Sequence, residues 1–195
     1  MSKSMMLAFA TAATMFGASA FAQDAVQRAG SGDSPRILIA FFSKTGNTGT
    51  IAELIRGAVG GDLFHVATRT PYPDDYRETT RVARVELDGN TRPALATTVP
   101  SEAMKSYDII FIGYPNWWGT LPMAMFTFLE QYDLSGKTIV PFCTHEGSGL
   151  GQGPADIAKL APNAVVAQGL AVRGSATGRA QNDVANWLRK LGYIR

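Results

Sequence analysis

The sequence predicts a doubly wound α/β fold, a five-stranded parallel sheet with helices on both faces. Short, wholly apolar runs recur along the chain. Between them, apolar residues recur with helical spacing, and Gly, Pro or polar clusters separate the two kinds of segment. A strand covered by helices on both faces reads as a continuous apolar run, and strict alternation with helices favours parallel pairing. The chain has 195 residues, 46% of them hydrophobic and 17% charged, enough for one compact domain and too apolar for a disordered chain.

The first 22 residues stand apart. Lys3 precedes an apolar run from 5 to 16, and a small-residue stretch ends Ala20-Phe21-Ala22. A basic start, an apolar middle and an A-x-A end form the pattern of a secretory signal peptide. The run is too short to span a bilayer. Cleavage after Ala22 is therefore expected, giving an exported protein, periplasmic or secreted, without stable membrane insertion. Residues 23–35 read as a polar tether, and one domain is expected over 36–195.

Within that domain, 37–42 is the first strand. Ile51, Leu54, Ile55, Ala58 and Val59 fall on one helical face, which Gly60-Gly61 ends. The second strand is expected at 63–66. An insert with Pro71, Pro73 and Pro93 follows, with Asp74 as the cap of a helix that runs to Leu87 and stops at Gly89. Strands are expected at 108–114, 138–143 and 164–172. Helices are expected at 121–131, 155–160 and, through Val184, Trp187, Leu188 and Leu191, near the C-terminus.

Charge and cysteine content exclude several classes. Eighteen Lys and Arg against sixteen Asp and Glu leave a net charge of +2, too small a field to point to nucleic acid or an anionic membrane. The single Cys143 rules out an internal disulfide and a multi-cysteine metal centre. It ends a strand and reads as a small core residue. His65 has no ligand-spaced companions, so no metal site is expected. Arg77, Arg81 and Arg84 form a stripe on the insert helix that reads first as a solvated face, with docking of an acidic partner or anionic substrate as the alternative. Tyr72 and Tyr76 are expected to pack the insert onto the sheet.

Ligands of doubly wound sheets bind beyond the carboxyl ends of the strands. Three loops there carry unusual chemistry. The first is Ser43-Lys44-Thr45-Gly46-Asn47-Thr48, joining strand one to helix one. Its hydroxyls, a glycine that permits close backbone approach and a helix start suit a phosphate. Neither the P-loop pattern nor G-x-G-x-x-G is present, so a terminal phosphate monoester fits better than a pyrophosphate. The others are Pro115-Asn116-Trp117-Trp118-Gly119 and the Gly-rich 144–153, which opens Thr144-His145-Glu146-Gly147-Ser148-Gly149.

The first loop matches the fingerprint [Ser/Thr]-x-Thr-Gly-x-Thr, and the chain resembles the flavodoxin-like family over 36–195. It is most similar to a bacterial subgroup with a Gly-Tyr-Pro-x-Trp-Trp-Gly loop and a Cys-Thr-His-x-Gly-Ser-Gly loop, which stand here at 113–119 and 143–149. The resemblance implies strand order 2-1-3-4-5 and noncovalent FMN. Ser43, Lys44, Thr45, Gly46, Asn47 and Thr48 would then hold the phosphate. Pro115, Asn116, Trp117, Trp118 and Gly119, with Thr144, His145, Glu146, Gly147, Ser148 and Gly149, would hold the ring. At least one indole would lie on the isoalloxazine. Asn116 could bond the polar edge of the ring, and Gly119 could let a peptide reorient beside it. N–H groups of the 144–149 loop would meet the charge that develops on reduction. His145 is the weak candidate for a proton-transfer role, and Glu146 reads first as a solvated charge.

The implied function is electron transfer to an unidentified redox protein or small-molecule acceptor. FMN-dependent reduction of a quinone or related acceptor, and a binding module without redox work, are the alternatives. Carriers of the family are usually strongly acidic, and this near-neutral chain departs from them.

Overall fold

The computed structural model describes residues 34–195. The expected signal peptide and nearly all of the expected tether lie outside the described residues. In chain order the elements are β1 (Ile37–Phe41), α1 (Asn47–Val59), β2 (Asp62–His65), α2 (Tyr76–Asp88), α3 (Ser101–Lys105), β3 (Ile109–Pro115), α4 (Met123–Glu130), β4 (Thr138–His145), α5 (Gly153–Leu160), β5 (Val165–Val166), β6 (Leu170–Arg173), a 3-10 turn (Gly174–Arg179) and α6 (Gln181–Lys190). All strand pairings are parallel, in the order β2-β1-β3-β4-β5, with β6 also on β4. This is the doubly wound sheet and the order expected.

The apolar runs explain the layers. Successive residues of a strand point to opposite faces, so a wholly apolar run feeds two cores. Leu38, Ala40, Ile110, Ile112 and Ile139 pack with Met125 and Phe128 of α4 on one face. Ile39, Phe111, Val140 and Phe142 pack with Ile51 and Ile55 of α1 and Val184 and Leu188 of α6 on the other. Burying a side chain such as Phe111 contributes about 1.5–3 kcal/mol.

The edge departs from expectation. The single strand expected at 164–172 is two, β5 and β6, both on β4. Pro141 gives the reason. Ala167 donates to the Ile139 carbonyl, so Ile139 and, by alternation, Pro141 face the edge. A proline has no N–H to donate, so the ladder breaks there and resumes at Phe142 opposite Leu170.

The insert differs in detail. Asp75, not Asp74, caps α2, its carboxylate accepting from the Glu78 N–H at 2.9 Å. Tyr72 is buried as expected, whereas Tyr76 is 78% exposed and stands on the surface. Short α3 and the 3-10 turn have no counterpart in the expected elements. Among the described residues, no helix is long and apolar enough to cross a membrane.

Candidate functional site

The three expected loops emerge together at the carboxyl edge of β1, β3 and β4. In the first, Gly46 is the cap residue of α1, left-handed at φ 89°, and offers no side chain to cap the helix, so only the Ser43 hydroxyl reaches one of its first amides. The first N–H groups of α1 therefore have no intrahelical partner and lie at its positive pole. The Ser43 hydroxyl accepts from the Gly49 N–H at 3.2 Å, and Thr45 is exposed. Buried Thr48 meets Thr144 hydroxyl to hydroxyl at 2.8 Å, tying the first loop to the third. Two members of the motif are engaged elsewhere. The Lys44 ammonium rests on Asp74 at 3.3 Å, and the Asn47 side-chain oxygen lies 3.4 Å from the Thr177 hydroxyl.

The second loop is a tight hairpin. Trp117 and Thr120 exchange backbone bonds of 3.0 and 3.1 Å. Both central residues are left-handed, Trp118 at φ 53° and Gly119 at φ 87°, which is the signature of a primed two-residue turn. A bulky residue is costly in that conformation. Trp118 is held there by its neighbours: its indole N–H donates to the Thr80 carbonyl of α2 at 3.0 Å, and the Arg84 guanidinium lies 5.3 Å from its ring. The adjacent indoles diverge. Trp117 is half-buried, edge-on to Phe42 and Tyr72 at 5.3 and 5.0 Å, while Trp118 stays 53% exposed.

Loops two and three are stapled through Asn116. Its N–H donates to the Thr144 carbonyl at 2.8 Å, its side-chain amide donates to the Gly149 carbonyl at 3.0 Å, and its side-chain oxygen accepts from the Gly119 N–H at 3.0 Å. The Gly119 carbonyl accepts from the Gln152 N–H at 2.7 Å. Asn116 therefore joins the loops with the groups expected for a ring edge, and Gly119, expected to let its peptide reorient, is bonded through both its N–H and its C=O. Thr120 adds a bond of 2.6 Å to Asp156 in α5. Gly151 completes the contact: a Cβ there would overlap the Gly119 carbonyl oxygen. Sequence reading passed over Gly151, although its left-handed φ of 58° follows from a Gly-rich loop.

The remaining groups have plain roles. The Nδ1 of His145 accepts from the Gly147 N–H at 2.9 Å, which shapes the turn. Burial pushes the Cys143 thiol up to about 12, so it stays protonated. Burial likewise keeps Tyr114 neutral, donating to the Leu150 carbonyl at 2.9 Å. Pro115 ends β3 beside Thr144 of β4. Ser148 is exposed. Arg81 pairs with Glu78, and Arg84 with Asp88. His65 is exposed and stacks on Phe41 at 5.2 Å. Among the described residues, no cluster could hold a metal ion.

A family model described as flavodoxin matches residues 36–191. The chain belongs to the flavodoxin family. Solved structures agree. A flavoprotein candidate from Bacteroides eggerthii is 34% identical, covering 82% of this chain and 99% of its own, with a TM-score of 0.71. A second, from Bacteroides uniformis, is 29% identical over 80% and 99%, with a TM-score of 0.70. A flavoprotein from Lactobacillus acidophilus, solved in complex with FMN, shares the fold at 22% identity over 76% and 99%, with a TM-score of 0.60. No curated protein matches.

The site of this flavodoxin-family chain fits a flat ligand that ends in a phosphate. The uncapped helix and its hydroxyls offer donors to an anion. Space is open where a Cβ on Gly46, Gly119, Gly147 or Gly149 would stand, so a ligand could approach the main chain of each of the three loops there. One segment escaped the sequence reading. The 3-10 turn after β6 packs against the start of α1 through Thr177. Its signal was present in Arg173-Gly174-Ser175, an apolar strand giving way to Gly and hydroxyls as in the other loops.

Proposed function

We propose that this chain binds FMN noncovalently at the carboxyl edge of its sheet and moves electrons through it. The observation that carries the reading is the start of α1: a helix left uncapped behind left-handed Gly46, among the hydroxyls of Ser43, Thr45 and Thr48. Thr48 is joined to the ring-side loop through Thr144, so one ligand would engage both loops. When bound, the flavin supplies the redox chemistry. Ser43, Thr45 and the α1 N–H groups hold the phosphate. The stapled loops 115–119 and 144–153 shape the ring slot, with Trp118 as the exposed aromatic surface. The flavoprotein relatives and the likeness to the subgroup with the 113–119 and 143–149 loop motifs support this reading.

An electron carrier is the first form of this function. Reduction of a quinone or similar acceptor is the second, favoured by the net charge of +2, which lacks the acidity that steers family carriers to basic partners. The pattern of residues 1–22 supports an exported protein that acquires FMN outside the cytoplasm.

The test separates phosphate from ring. Replacing Ser43 and Thr45 together with Ala should weaken FMN about 100-fold, two hydrogen bonds to a charged group being at stake. Riboflavin, which lacks the phosphate, should lose less than about threefold. Equal losses, measured by titrating flavin fluorescence, contradict the assignment.

A further inference from the structure

We infer that Glu146 opposes the phosphate, holding the affinity for FMN below what the cradle could reach and keeping the cofactor exchangeable. This rests on the reading that the phosphate sits at the start of α1. β4 and β6 pair with His145 opposite Arg173, so Glu146 and Gly174 leave the sheet side by side. Gly174 is buried, and a Cβ on it would overlap a carboxylate oxygen of Glu146 and stand 2.8 Å from the side-chain nitrogen of Asn47. The carboxylate and the Asn47 amide therefore rest against the same point, and Asn47 is the first residue of α1. A glycine at 174 is what admits the carboxylate there.

The Glu146 side chain is exposed, and no cation among the described residues is ion-paired with it. The Arg173 guanidinium donates to the Glu146 main-chain carbonyl at 3.3 Å, not to its carboxylate. Lys44, the cation of the phosphate loop, is paired with Asp74. Among the described residues, no ion pair includes Glu146. The phosphate end thus offers hydroxyls, amides and one carboxylate outside any ion pair. Without ligand, the positive pole of α1 favours that carboxylate. An arriving phosphate monoester, carrying about −1.5 to −2 charges at neutral pH, has to share the pole with it.

The experiment measures FMN and riboflavin affinity for wild type, Glu146→Gln and Glu146→Lys, at low and high salt. Glu146→Gln should bind FMN about tenfold tighter at low ionic strength, and Glu146→Lys tighter still, because the charge product changes in steps. Both gains should shrink at 1 M salt, where the screening length falls to about 3 Å. Riboflavin should change less than about twofold. An unchanged or weakened FMN affinity in both variants, or equal gains for riboflavin, overturns the role of Glu146. A wild-type protein that does not prefer FMN to riboflavin fails earlier, and sinks the phosphate placement instead.

Discussion

At the phosphate end of the site, α1 starts without a cap, Thr45 is exposed, and the first amides of the helix have no partner within it. At the ring end, Asn116 donates or accepts through three groups, Gly119 is bonded through both its N–H and its carbonyl, and Thr120, Tyr114 and His145 are each committed. One end has unsatisfied hydrogen-bonding capacity, and the other has spent its own on holding its shape. Phosphate-end residues should therefore act on ligand affinity with little effect on folding. Ring-end residues should act on stability first and on the ligand through it.

The sharpest way to break that contrast is Gly151→Ala. Left-handed backbone costs a non-glycine residue about 1–2 kcal/mol. The added Cβ would also overlap the Gly119 carbonyl and sit 2.7 Å from the Asn116 amide, and such overpacking costs a further 1–3 kcal/mol or so. A loss of about 3 kcal/mol in urea unfolding is expected, whereas Thr45→Ala should move the midpoint hardly at all. Equal effects would erase the distinction. Asn116→Ala should rank next, at about 2 kcal/mol, since it strands the Gly119 N–H and Gly149 carbonyl on half-buried chain. A stability change below about 0.5 kcal/mol would show that the staple holds nothing.

The same contrast explains what was legible in the sequence. The central strands β1, β3 and β4 were readable because burial on both faces demands unbroken apolar runs. The loops that follow them were readable for the same reason, as polar stretches set off by those runs. The split of the edge strand needed tertiary knowledge, because Pro141 breaks a ladder only on the side its missing N–H would face. The helical form of the 3-10 turn at Gly174–Arg179 was not readable, since a polar segment without period gives no helical signal, although the Gly and hydroxyls after an apolar strand marked it as a loop like the other three. Side-chain commitments were hidden most of all. Asn116 and Asn47 look free in sequence, and only the approach of Gly149 and Thr177 assigns their amides. The divergence of Trp117 and Trp118 depends likewise on Thr80 and Arg84, which come from the insert.

The smallest expected effect concerns a ring-end tie made to a carboxyl that burial shifts. Tyr72, edge-on to Trp117, donates to the Glu86 carboxylate at 2.7 Å. Burial raises the Glu86 carboxyl above its ordinary range, and the Tyr72 hydrogen bond only partly opposes this. A carboxyl that ionises at higher pH when folded than when unfolded contributes stability that is fully present below its unfolded value. That contribution is lost as pH rises through the folded value. Glu86 should therefore weaken the molecule slightly at neutral pH. Glu86→Gln keeps an acceptor for Tyr72 and cannot ionise. It should match wild type in acid and exceed it at neutral pH, by less than about 0.5 kcal/mol as is usual for a half-exposed site. Urea midpoints of the two proteins across that pH range decide it. A gap that widens toward acid would mean that the ionised carboxylate, not its protonated form, is what Tyr72 and the ring-end loop depend on.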